Sequence, residues 1–175
     1  MKIGMIGLGI MGKPMAKNLL KAGYDLTVSD LNPASVDELV AFGAKSAGNA
    51  EIGETCDLVL TMVPNSPQVK AVMLGENGVA AHMRPGTAFI DMSSINPVAS
   101  KEIAAELEKK EIDMLDAPVS GGEPKAIDGT LSFMVGEKKG SLRSSSRFWR
   151  QWGPQLSSAV TLARETPRNW RIRSS

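Results

Sequence analysis

One cysteine, Cys56, and one histidine, His82, stand in 175 residues. A lone cysteine excludes an internal disulfide, and one of each argues against a His/Cys metal site. Aromatic residues make up only 5% of the chain. No window holds about 18 uncharged apolar residues, so no membrane-crossing helix is expected. The apolar start MKIGMIGLGIMG is packed with glycine and leads straight into a helix pattern. It therefore reads as a cytoplasmic start and not as a signal peptide. Lysine is missing as well from the C-terminal segment, where none follows Lys139.

What remains is ordinary for a folded chain: 42% hydrophobic and 22% charged residues, enough for one domain or one domain plus a tail. The net charge of +1 hides a split. Residues 1–140 hold 12 Lys, 1 Arg and 18 acids, net −5, whereas residues 141–175 hold 7 Arg and 1 acid, net +6. All three Trp (Trp149, Trp152, Trp170) and eight Ser fall in that second segment.

Short apolar runs alternate with amphipathic stretches before the tail. Strands are expected at Lys2–Ile6, Asp25–Ser29, Ala44–Ser46, Asp57–Met62, Ala88–Asp91, Ile112–Asp116 and Leu131–Val135. Helices are expected at Gly12–Ala22, from Asn32-Pro33 to Ala41, at Asn49–Thr55, from Ser66-Pro67 to Leu74, and from Asn96-Pro97 through Leu107. Asn-Pro starts and glycine stops at Gly23 and Gly43 punctuate them. This alternation predicts an α/β fold: a doubly wound, mainly parallel sheet covered on both faces.

The first strand runs into Gly7-Leu8-Gly9-Ile10-Met11-Gly12, a G-x-G-x-x-G that opens a helix. Gly7 permits a tight turn, Gly9 lets the backbone approach a pyrophosphate, and Gly12 lets helix and strand pack closely. The helix N-terminus offers amide groups and partial positive charge to phosphates. Asp30 ends the second strand, 18 residues after Gly12, where a carboxylate accepts ribose hydroxyls. It would repel a 2′-phosphate, and Leu31 and Asn32 follow it in place of an Arg. NAD is the expected cofactor. Asn32 can bond either ribose, which leaves NADP open. The bland alternative is a glycine-rich turn beside a solvated carboxylate.

Four motifs follow four strands in order: Met5–Gly12 with Met15, Ala16 and Asn18, then Met62-Val63-Pro64, Asp91-Met92-Ser93-Ser94-Ile95, and Asp116-Ala117-Pro118-Val119-Ser120-Gly121-Gly122. Together they resemble the β-hydroxyacid dehydrogenases over residues 1–139, which implies a Rossmann-type domain. The resemblance implies that Met62, Val63 and Pro64 contact the cofactor and that Ser94 lies near its nicotinamide. It also implies that Ser120, Gly121 and Gly122 bind a small-molecule carboxylate substrate. Gly121–Ala126 is most similar to the members that reduce tartronate semialdehyde to glycerate, with the 3-hydroxyisobutyrate dehydrogenases as the alternative. The implied reaction is hydride transfer with NAD(H), without nucleic-acid or membrane partners.

The same resemblance implies a catalytic lysine after a G-x-G-x-x-x-K-x-x-N motif, then an all-helical domain carrying most of the homo-oligomer interface. Neither appears here, so no catalytic residue is assigned and little activity is expected of this chain. A dinucleotide-binding fragment without catalysis is the alternative. Codons consistent with Val160–Ser175, read one base upstream, spell Gly-Asp-Ile-Gly-Ala-Gly-Asn-Ala-Thr-Lys-Leu-Ala-Asn-Gln-Ile, the missing motif with its lysine. Residues 140–175 are therefore expected to be a frameshift product. The rival is a basic Arg/Trp tail for nucleic acid or membrane. His82 and Lys109–Glu111 read as solvated, Cys56 as an inert core residue, and the ten Met largely as core filler.

Overall fold

The computed structural model describes residues 1–133. Strands β1 (Lys2–Ile6), β2 (Asp25–Ser29), β3 (Lys45–Ser46), β4 (Leu58–Thr61), β5 (Ala88–Asp91) and β6 (Asp113–Asp116) form one sheet in the order β3-β2-β1-β4-β5-β6. Every pairing in it is parallel. The strands interleave with helices α1 (Gly12–Lys21), α2 (Pro33–Ala41), α3 (Asn49–Thr55), α4 (Ser66–Leu74) and α5 (Pro97–Glu108). A parallel sheet needs both faces covered, and the central strands β1, β4 and β5 are largely apolar and buried for that reason, whereas the edge strand β3 is polar and exposed. One face buries Ile3, Met5, Leu26, Leu58 and Ile90 against Met15, Leu19 and Leu39 of α1 and α2. The other buries Val59 and Phe89 against Ile52 of α3, Val69 and Met73 of α4, and Ile103 and Leu107 of α5. Cys56 is fully buried in that second core. Among the described residues, no helix is long and apolar enough to cross a membrane.

Three helices start by one local device. Asn32, Asn65 and Asn96 accept hydrogen bonds from Ala34 N, Gln68 N and Val98 N at 3.1, 3.2 and 2.8 Å. A proline follows within the first two helical positions of each. The asparagine satisfies an amide that the helix leaves open, and the proline brings a preset φ. These caps start α2, α4 and α5 just past the carboxyl ends of β2, β4 and β5, which keeps the connecting loops short along one sheet edge.

The described part of the expected seventh strand, Leu131–Val135, does not join this sheet. Strand β8 (Ser132–Phe133) pairs antiparallel with β7 (Val119–Ser120) in a separate two-stranded ribbon. Only helix α6 (Gly122–Asp128) and a few loop residues lie between them. The stretch Pro118–Gly122, read from the sequence as a motif after the sixth strand, contains β7 and the start of α6. A short 3-10 helix at Val79–Ala81 also had no clear signal in the sequence. The expected boundary at 139/140 and the tail lie outside the described residues.

Candidate dinucleotide-binding site

The registers Ile6↔Ser29, Ile6↔Thr61, Thr61↔Asp91 and Asp91↔Asp116 align the carboxyl ends of five strands. The chain order reverses between β1 and β4, and the crevice outside the strands at such a switch point is where open α/β sheets bind ligands. The glycine turn occupies it. Gly7 has φ +96, and a Cβ there would stand 2.3 Å from Met62 O. A Cβ on Gly12 would stand 1.9 Å from Gly7 O. Both positions therefore exclude any side chain by backbone contact. Gly9 differs: a Cβ there meets nothing within 4 Å, and the residue is exposed. Its missing side chain keeps space open on the outside of the turn, as a pyrophosphate needs. No side chain caps the N-terminus of α1. Ile10, at the tip of the turn, is 70% exposed, and Leu8 and Met11 point inward.

Asp30 holds this turn. Its Oδ2 accepts from Leu8 N at 2.5 Å and its Oδ1 from Asn32 N at 2.7 Å. A carboxylate offers about four acceptor positions, so capacity for ribose hydroxyls remains. Asn32 spends its side-chain oxygen on the α2 cap. Leu31, between them, is fully exposed. Behind the turn, Glu38 of α2 pairs with Lys13 and Lys17 of α1 at 2.7 and 2.6 Å. These two ammonium groups pull its carboxyl down to about 2.

On the other side of the switch point, Met62 N donates to Ile6 O at 2.9 Å and Val63 N to Ser93 Oγ at 3.0 Å. Pro64 and Ser94 are exposed at the same edge. Asp91 is buried between the two loops. Its Oδ1 accepts from Thr61 Oγ1 at 2.8 Å and from Ser93 N at 3.0 Å. Burial pushes its carboxyl above the usual carboxylate range, and the nearby Asp116 carboxylate adds to the rise. Asp116 is raised by burial too, against a hydrogen bond from Ser100. Asp91 and Ser93 stand in a motif read from the sequence but were given no role there, and Thr61 was not singled out, because their bond pattern exists only once β4 and β5 lie side by side.

Ser120, Gly121 and Gly122 are exposed where β7 meets α6. Gly121 and Gly122 have φ +138 and +66, conformations that favour glycine. Asn18 Nδ2 of α1 donates to Ala126 O of α6 at 2.9 Å and so ties this unit to the helix that leaves the glycine turn. The structure thus gathers Gly7–Gly12, Asp30, Met62–Pro64 and Ser94 on one edge, with Ser120–Gly122 on an adjoining ribbon. Among the other residues read from sequence, His82 lies 3.4 Å from Glu54 and Lys109–Glu111 are exposed.

Residues 2–160 match the family model described as the NAD binding domain of 6-phosphogluconate dehydrogenase. The 2-hydroxy-3-oxopropionate reductase of Escherichia coli K12 is 49% identical over 137 residues, which cover 78% of this chain and 47% of that protein. The NAD-dependent L-serine dehydrogenase of Pseudomonas aeruginosa is 43% identical over 156 residues, covering 89% and 52%. The crystal structure of a 3-hydroxyisobutyrate dehydrogenase from Salmonella typhimurium superposes with TM-score 0.80 at 34% identity, covering 93% of this chain and 54% of that one. The chain spans about half the length of the curated relatives it matches. With this edge geometry and this match over most of its length, the chain belongs to the family of the NAD binding domain of 6-phosphogluconate dehydrogenase.

Proposed function

We propose that this chain is the cofactor-binding part of an oxidoreductase that moves a hydride between NAD(H) and a small 3-hydroxy or 3-oxo acid. The observation that carries this reading is the contrast within the glycine turn. Gly7 and Gly12 are closed by backbone, whereas Gly9 is open to a ligand. The residues fit a dinucleotide. Gly7, Leu8, Gly9, Ile10, Met11 and Gly12 hold the pyrophosphate, and Asp30 and Asn32 face the adenosine ribose. Met62, Val63, Pro64 and Ser94 border the nicotinamide half. Bound there, the nicotinamide supplies or accepts the hydride.

Ser120, with the amides of Gly121 and Gly122, takes the substrate carboxylate, since hydroxyl and amide donors suit a small anion. The substrate in this reading is tartronate semialdehyde, reduced to glycerate. The 49% identity to a 2-hydroxy-3-oxopropionate reductase favours it, while an L-serine dehydrogenase at 43% keeps related acids as competitors. The proton that completes alcohol formation comes from a group outside residues 1–133, and this chain alone turns over slowly or not at all. The setting is cytoplasmic, without nucleic-acid or membrane partners. Residues 140–175 are a frameshift product in this reading, and an upstream frame broken by stop codons would remove that part.

Calorimetric titration with NADH and NADPH tests the cofactor assignment. NADH is expected to bind at least tenfold more tightly, because Asp30 opposes a 2′-phosphate. Tighter NADPH binding refutes the role given to Asp30. An NADH-oxidation assay with tartronate semialdehyde tests the rest. Turnover within the usual range of about 1–10³ per second refutes the claim of weak activity.

A further inference from the structure

Thr61, Asp91 and Ser93 form a buried bridge between the carboxyl ends of β4 and β5, each at most 1% exposed. Asp91 Oδ1 takes both Thr61 Oγ1 and Ser93 N, at 2.8 and 3.0 Å. Ser93 Oγ then accepts from Val63 N at 3.0 Å. One carboxylate oxygen therefore holds the backbone at Ser93 directly, and through the serine hydroxyl the backbone at Val63. The loops at these two points carry Met62, Val63, Pro64 and Ser94.

Stability gives no reason for a carboxylate here. Burying it is costly, its Oδ2 has no hydrogen-bond partner among the described residues, and Asp116 stands opposite it in the neighbouring strand. What a buried polar bridge does provide is one defined geometry for the two loops it joins. We propose that Asp91 is a positioning residue for the dinucleotide: through Thr61 and Ser93 it sets the two loops that border the nicotinamide half, without touching the cofactor. This rests on the reading that the edge binds a dinucleotide.

The 175-residue chain is titrated with NADH by calorimetry, with a thermal unfolding scan of each variant. Asp91→Asn keeps an acceptor for Thr61 Oγ1 and Ser93 N, and its affinity is expected within about threefold of the unmodified chain, since a neutral acceptor still makes both bonds. Asp91→Ala deletes the acceptor and is expected to weaken NADH at least ~10-fold, in line with losing a network that orders two loops. Thr61→Val and Ser93→Ala each cut one arm and are expected to weaken it by ~3- to 10-fold. They keep the test decisive if Asp91→Ala does not fold. Ile52→Val, in the core of α3, is the control that lowers the melting temperature with affinity unchanged.

Unchanged affinity in folded Asp91→Ala, or in both single-arm variants, overturns the proposal. So does a loss in Asp91→Asn as deep as in Asp91→Ala, or an equal loss in Ile52→Val. If the unmodified chain shows no saturable NADH binding, the dinucleotide reading falls and the positioning role falls with it. Binding by the unmodified chain with all variants alike removes the positioning role alone.

Discussion

Alanine at Gly9 and alanine at Gly12 separate what the glycine turn does for folding from what it does for binding. At Gly12 the added methyl would lie 1.9 Å from Gly7 O and 2.9 Å from Gly7 C, both backbone atoms that cannot turn away. Overpacking of this kind costs about 1–3 kcal/mol, and the gain in helix propensity over glycine returns only about 0.5–1 kcal/mol. The overlap is with backbone, so the net loss is expected near 2 kcal/mol, a fall of about 4–8 °C in melting temperature for a chain this long. At Gly9 the methyl meets nothing within 4 Å and the backbone is not left-handed. Stability there is expected within about 0.5 kcal/mol of the unmodified chain, or about 2 °C. The same methyl stands where the pyrophosphate approaches. NADH affinity of Gly9→Ala is expected to drop at least ~100-fold, equal to about 2.7 kcal/mol. Differential scanning fluorimetry and calorimetric titration give the two numbers. Gly9→Ala binding NADH within threefold of the unmodified chain would refute the assignment of the turn. An unshifted melting temperature for Gly12→Ala would refute the packing argument.

Phe89 is fully buried against α4 and α5, so Phe89→Ala is expected to cost about 3–5 kcal/mol by denaturant titration; a loss below about 1 kcal/mol would show a loosely packed core. Cys56 is fully buried and burial raises its thiol above the usual range, so the native chain is expected to resist a thiol reagent that labels it at once in denaturant. Rapid labelling of the native chain contradicts this. Asp91 keeps a proton in the folded state that the unfolded chain has already released, so the unmodified chain loses stability as pH rises from about 4 through the raised value. Asp91→Asn has no such proton to lose. Its melting temperature relative to the unmodified chain is expected to climb over that range, and a falling difference refutes the assignment.

Much of the edge was legible in the sequence because its signals are local. The turn Gly7–Gly12, Asp30 after the second strand, and the Asn-Pro starts of α2 and α5 each depend on residues a few positions apart. The antiparallel ribbon was not legible. The alternating run from Leu131 reads like a sheet strand, and its pairing of Ser132–Phe133 with Val119–Ser120 is a tertiary contact that leaves no local trace. The hydrogen bond from Leu8 N to Asp30 joins residues 22 apart, and the Thr61–Asp91 bond joins residues 30 apart. Neither leaves a periodic trace.

The sequence by itself determined the alternation of strands and helices, the tight turn at Gly7 and the place of the acidic residue, since steric permission and hydrophobic period act within one segment. Only the tertiary structure decided that Gly7 backs onto Met62, that Asp30 holds the turn it faces, and that Asp91 joins two loops. Those contacts arise from the strand order β3-β2-β1-β4-β5-β6, which is fixed by how two buried faces are covered at once.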